Sequence, residues 1–110
     1  MKKIPLKYLK IGQELKEILF AKFGNEIEKI IFFGSRNTGK FKRDSDFDYL
    51  VVLKNPYDWK LRTAILDEAY EIDLKFNIFT DLKFISTEEL STIKGKQFFV
   101  LEAFNSGTVL

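Results

Sequence analysis

Ile30-Ile31-Phe32-Phe33-Gly34-Ser35 and, after a gap of ten residues, Asp46-Phe47-Asp48 followed by Tyr49-Leu50-Val51-Val52-Leu53 decide how this chain is read. An apolar run that ends in Gly-Ser predicts a buried strand feeding a tight turn. Glycine lets the backbone approach a ligand closely, and serine adds a hydroxyl and an N–H, which together suit a phosphate. In an extended segment, side chains two apart share a face, so Asp46 and Asp48 should point the same way with Phe47 buried between them. Carboxylates held side by side repel unless a cation lies between them, and a pair of hard oxygen donors invites magnesium, which often brings substrate phosphates with it.

Working outward, Ile11, Leu15, Ile18, Leu19 and Phe23 follow helical spacing up to Gly24-Asn25, which predicts an amphipathic helix over about 8–23. Residues 27–33 read as a buried strand, 34–45 as a polar, basic loop, and 46–53 as a central strand ended by Asn55-Pro56. A second helix fits 58–76, with Leu61, Ile65, Ala69, Ile72 and Phe76 on one stripe. Alternation over 79–85 predicts a third strand. Ser86 and Glu89 have capping-box spacing and should open a short third helix, and 97–105 reads as helical before Ser106-Gly107 and a closing Thr-Val-Leu. The expected fold class is therefore α/β (α+β), a small mixed sheet of three to four strands flanked by helices, in one domain over 1–110.

With 110 residues, nearly half of them apolar and twelve of them Phe, the chain should fold around one modest core. A net charge of +2 is too small to argue for general nucleic-acid binding. The local pattern is more telling. Arg36, Lys40, Lys42 and Arg43 precede Asp44, Asp46 and Asp48, and a metal–nucleotide site needs both signs. Asp44 reads as a residue that shapes the turn. Without His or Cys, Ser-His-Asp triads, His- or thiolate-based zinc sites and disulfide frameworks are excluded, so catalysis must run on carboxylates, hydroxyls, Lys, Arg or a metal. The absence of Cys fits a cytoplasmic location, and nothing after Met1-Lys2-Lys3-Ile4-Pro5 reads as a signal peptide or membrane span.

Gly34-Ser35, the fixed gap, Ser45-Asp46-x-Asp48 and the flanking apolar strands resemble the signature of nucleotidyltransferases related to DNA polymerase β. The resemblance is strongest to the minimal nucleotidyltransferase (MNT) proteins, which often serve as antitoxins beside a HEPN-domain toxin. It implies that Gly34, Ser35 and Arg36 hold the phosphates of ATP and that Asp46 and Asp48 hold two magnesium ions. A third carboxylate on a neighbouring strand, Asp81 rather than Asp73, would complete the set. Asp73 is the second choice because the stripe through Ile72 and Phe76 makes it a surface charge, unless the second helix stops near Tyr70. The implied reaction moves AMP onto a tyrosine of a HEPN partner, and the implied alternative is an antitoxin that acts by binding alone. Gly34-Ser35-Arg36-Asn37-Thr38-Gly39-Lys40 also matches a P-loop, but Phe41 stands where a magnesium-binding Ser or Thr belongs. Tyr8, Tyr49, Tyr57 and Tyr70 are expected as half-buried packing, and Trp59 likewise.

Overall fold

A computed structural model of the chain describes residues 4–39 and 45–110. Lys40, Phe41, Lys42, Arg43 and Asp44, and hence the basic half of the expected loop, lie outside the described residues. The elements run α1 (Leu6–Phe23), β1 (Ile27–Phe33), a one-turn α2 (Ser35–Thr38), β2 (Phe47–Leu53), α3 (Trp59–Phe76), β3 (Thr80–Ser86), α4 (Phe98–Ser106) and β4 (Thr108–Val109). The strands form one mixed sheet in the order β3-β2-β1-β4, with β1 antiparallel to β2 and β4, and β2 parallel to β3. The crossover between the two parallel strands is α3, as a parallel pair requires.

Both large helices follow their apolar stripes. Ile11, Leu15, Leu19 and Phe23 of α1 and Ile65, Ala69 and Ile72 of α3 are buried against Ile30, Phe32, Phe47, Tyr49, Val51, Leu53 and Leu82 on one sheet face. Each such buried aliphatic side chain is worth about 2 kcal/mol. The other face carries Ile31, Phe33, Leu50, Val52 and Ile85 and is covered by Val100 and Ala103 of α4. β2 is therefore buried on both sides, which is why it reads as one apolar run instead of an alternation. No helix among the described residues is long and apolar enough to cross a membrane.

Four expectations need correction. α1 begins two residues earlier than its stripe implies, because the Pro5 carbonyl accepts from the N–H groups of Tyr8 and Leu9 and starts the helix. The Ser86–Glu89 capping box forms reciprocally, at 3.0 and 3.2 Å. It opens two 3₁₀ turns and not an α-helix: Glu88–Ser91 and Ile93–Lys96 are split by the extended backbone of Thr92. The terminal Thr-Val becomes β4, paired to Ile31 and Phe32. Finally, the aromatic residues are sorted: Tyr49 is fully buried and Tyr8 nearly so, Tyr57 is half-buried, and Tyr70 and Trp59 are exposed.

Tyr49 packs its ring on Phe32 with centroids 5.2 Å apart, and its hydroxyl finds no hydrogen-bond partner among the described residues. Burial accordingly pushes that phenol well above its usual range. An unsatisfied buried hydroxyl costs about 1–3 kcal/mol. Tyr49→Phe should therefore raise the urea midpoint, by about 1 kcal/mol of stability at unchanged m-value; a loss of stability would mean that the hydroxyl has a partner in solution.

Candidate active site

The site is assembled at the junction of β1, α2, β2 and β3. Phe33 pairs with Asp48 across β1 and β2, so the chain enters the Gly34 turn directly beside the Asp48 side chain. Gly34 adopts φ 81°, ψ −165°, a backbone region open in practice only to glycine. A β-carbon there would also collide with the Asp48 carboxylate. Position 34 thus has two independent reasons to be glycine, and both arise from bringing the turn against the acid.

After Gly34, α2 makes a single turn in which the Gly34 carbonyl accepts from the N–H groups of Asn37 and Thr38 at 3.1 Å. Gly39 closes it in the left-handed conformation, its N–H donating to the Ser35 carbonyl. The first N–H groups of any helical turn lack intrahelical acceptors and face outward from the turn. The turn leads into β2 and not into the long helix of a P-loop; Lys40 and Phe41, on which the rest of that reading depends, lie outside the described residues.

Asp48 of β2 is in register with Asp81 of the parallel β3, which places both on the α4 face of the sheet. Asp46, two residues before Asp48, precedes the strand and is exposed. Asp48 is half-buried, and burial, then the charges of Asp81 and Asp46, raise its pKa to about 6; Lys83 opposes this and Glu102 of α4 adds to it. Lys83 Nζ lies 3.4 Å from Asp81 Oδ2.

Asp73, the other candidate, is committed elsewhere. Its Oδ1 accepts from the Thr80 N–H at 3.1 Å and from the Thr80 hydroxyl at 2.7 Å, which fastens the end of α3 to the start of β3. Burial raises its pKa and the two Thr80 bonds counter this. The structure brings Asp81, and not Asp73, beside Asp48.

Arg36, expected among the phosphate ligands, sends its guanidinium to the opposite side of the sheet, onto Tyr8 and Phe47. Asn37, which sequence reasoning passed over, is buried beneath the turn. It donates to the Ser106 carbonyl at 2.8 Å and accepts from the Thr108 hydroxyl at 2.7 Å, anchoring the turn to the end of α4 and to β4. A polar residue at the third position of a tight turn was the only available signal, and it is a weak one.

The carboxylates of Asp48, Asp81 and Asp46 fit a divalent cation in chemistry, as hard oxygen donors, and the Asp48 pKa is raised by burial and then by its two acidic neighbours. Among the described residues, no three acids close on one point as a complete ligand cage. The pairing of Asp81 with Lys83 draws that carboxylate toward the neighbouring ammonium.

The family model for Polymerase beta, Nucleotidyltransferase matches residues 7–110, and the chain belongs to that family. A protein of Methanocaldococcus jannaschii, provisionally named a protein adenylyltransferase, is 29% identical over 98 residues, covering 89% of this chain and 92% of that one. Two solved structures share the fold. The toxin–antitoxin complex MntA–HpeT gives TM-score 0.61 at 18% identity, covering 88% of this chain and 69% of that chain. The spectinomycin adenyltransferase of Enterococcus faecalis, solved with ATP and spectinomycin, gives 0.62 at 24% identity over 76% of this chain and 36% of its own.

The native state holds the Asp48 proton more tightly than the unfolded chain, so this residue's contribution to stability falls as pH rises from about 4 to about 6 and stays low above that. A shift of that size corresponds to more than 2 kcal/mol in a dry site, which screening by solvent at this half-exposed side chain reduces to about 1 kcal/mol. Asp48→Asn should therefore raise the melting temperature at pH 7.5, with the gain vanishing by about pH 4. A gain of equal size at both pH values would show that charge is not the cause.

Proposed function

We propose that this protein transfers AMP from ATP to a hydroxyl group on a partner protein, and that the partner is a HEPN-type toxin which the transfer neutralises. The observation that supports this best is the junction of Gly34, Asp48 and Asp81: a glycine-only turn pressed against one carboxylate, with a second carboxylate in register on the next strand. The name of the Methanocaldococcus relative and the MntA–HpeT fold neighbour point the same way.

In this reading Gly34 and the Ser35 N–H and hydroxyl hold the β- and γ-phosphates. Asp46 and Asp48 would hold two magnesium ions, and Asp81 would complete the second site. When bound, magnesium supplies charge neutralisation on the triphosphate and on the oxygens that attack and leave. Asp81 takes the proton from the acceptor hydroxyl as its oxygen bonds to the α-phosphorus. The bond from that phosphorus to the β-bridging oxygen breaks, and pyrophosphate departs. The domain acts in the cytoplasm, with the acceptor delivered by the partner.

The decisive experiment is co-expression with the HEPN-type protein that this reading expects in the adjacent reading frame, followed by intact-mass measurement of that protein. Added mass of one or more AMP groups is expected, and it should disappear with Ser35→Ala or with Asp46→Asn combined with Asp48→Asn. A toxin held in a stable complex yet unmodified would replace this reading with neutralisation by binding alone. Asp81→Asn should reduce transfer by about 100-fold or more, the loss of a few kcal/mol of transition-state stabilisation, whereas Asp73→Asn should change it only a few-fold. The reverse order would exchange their roles.

A further inference from the structure

Arg36 comes immediately after Ser35, yet its side chain leaves the phosphate turn altogether. Its Nε donates to the Ser45 carbonyl at 3.1 Å and its Nη1 donates to the Tyr8 hydroxyl at 2.6 Å. The guanidinium carbon lies 4.7 Å from the centre of the Phe47 ring and 5.5 Å from that of Tyr8, and these two rings meet edge to face at 4.9 Å. One planar cation therefore joins the turn that carries Ser35, the first helix, and the backbone immediately before Asp46. Phe47, under the guanidinium, is the residue between the two acids of the Asp46-x-Asp48 pair.

We propose that Arg36 is a positioning residue that fixes the spacing between the Gly34-Ser35 turn and Asp46, and that it does not bind the nucleotide phosphates itself. The proposal rests on reading the turn and the acids as the nucleotidyl-transfer site. The geometry selects arginine over lysine. Two donors in a rigid fork reach two acceptors on different segments while the flat face stacks on a ring, and a single ammonium cannot do all three. The long way round between Ser35 and Asp46 is a ten-residue connection, whereas the guanidinium ties phosphate position to carboxylate position through one side chain. A displacement of about 1 Å between a phosphate cradle and a catalytic group is enough to cost about 100-fold in rate.

The test uses Arg36→Lys and Tyr8→Phe in the full chain with two readouts, steady-state transfer and amide exchange. Arg36→Lys should lower kcat by about 10- to 100-fold while the KM for ATP stays within about threefold. Tyr8→Phe keeps the ring but removes one acceptor, so it should lower kcat by less, and the double variant should be no worse than Arg36→Lys, because the two groups act as one unit. The Phe47 N–H, which donates to the Phe79 carbonyl at 2.9 Å, should exchange about tenfold faster in Arg36→Lys while mid-strand Val51 is unchanged. A raised KM for ATP with kcat retained is the signature of a direct phosphate ligand and overturns the proposal. If the wild type transfers nothing, the functional reading falls, but Phe47 exchange still decides: unchanged protection in Arg36→Lys overturns the strap in either case. Should Arg36→Lys fail to fold, Tyr8→Phe carries the same test, with unaltered exchange and unaltered kcat as the overturning result.

Discussion

The in-register parallel pairing of Asp48 with Asp81 is the constraint on which the rest of the site depends, and in isolation it is unfavourable. Like charges facing each other on adjacent strands repel, and partial burial followed by the charges of Asp81 and Asp46 raises the Asp48 pKa. The pairing persists because the register is set elsewhere. A slip of one residue would move Tyr49, Val51 and Leu53 from the α1–α3 face to the α4 face and swing the Asp48 carboxylate into the apolar layer beneath α1 and α3. The apolar half of β2 thus holds the acidic half in a place that electrostatics alone would not choose, as strain at functional sites generally requires.

Around that pairing, a one-turn helix is held far more firmly than its length would allow. An isolated turn of four residues has no stability of its own. Here Gly34 sets its entry, Asn37 fixes its underside to the Ser106 carbonyl and the Thr108 hydroxyl, and Arg36 straps it to Tyr8 and Ser45. The demands on the sequence Gly-Ser-Arg-Asn are divided between the two sheet faces, with the backbone serving one face and the guanidinium the other.

Much of this was legible in the sequence because it depends on short-range periodicity. The stripes through Leu15 and Ile65, the unbroken run Tyr49–Leu53 and the reciprocal Ser86–Glu89 spacing each signal their element within a few residues. The alternation that placed Asp81 and Lys83 on one face of β3 also separated Asp81 from Asp73, whose helix continues to Phe76 as its stripe implied. What stayed hidden is non-local. β4 is two residues long and exists only because Ile31 and Phe32 offer an edge. The burial of Tyr49 and the destination of the Arg36 side chain depend on which helix covers which face. A basic residue beside Gly-Ser suggests phosphate on local grounds, and only the positions of Tyr8 and Phe47 redirect it.

The anchoring of Asn37 to Ser106 and Thr108 spans 69 and 71 residues of chain. Contacts of such sequence separation form late, since most of the loop-closure entropy must be offset before they contribute anything. A ribosome-bound fragment containing both Gly34-Ser35 and the Asp46–Asp48 strand would therefore carry the whole recognisable motif while its turn still lacked a floor. During synthesis the turn gains its full support only once Ser106 and Thr108 have emerged, long after the residues it presents.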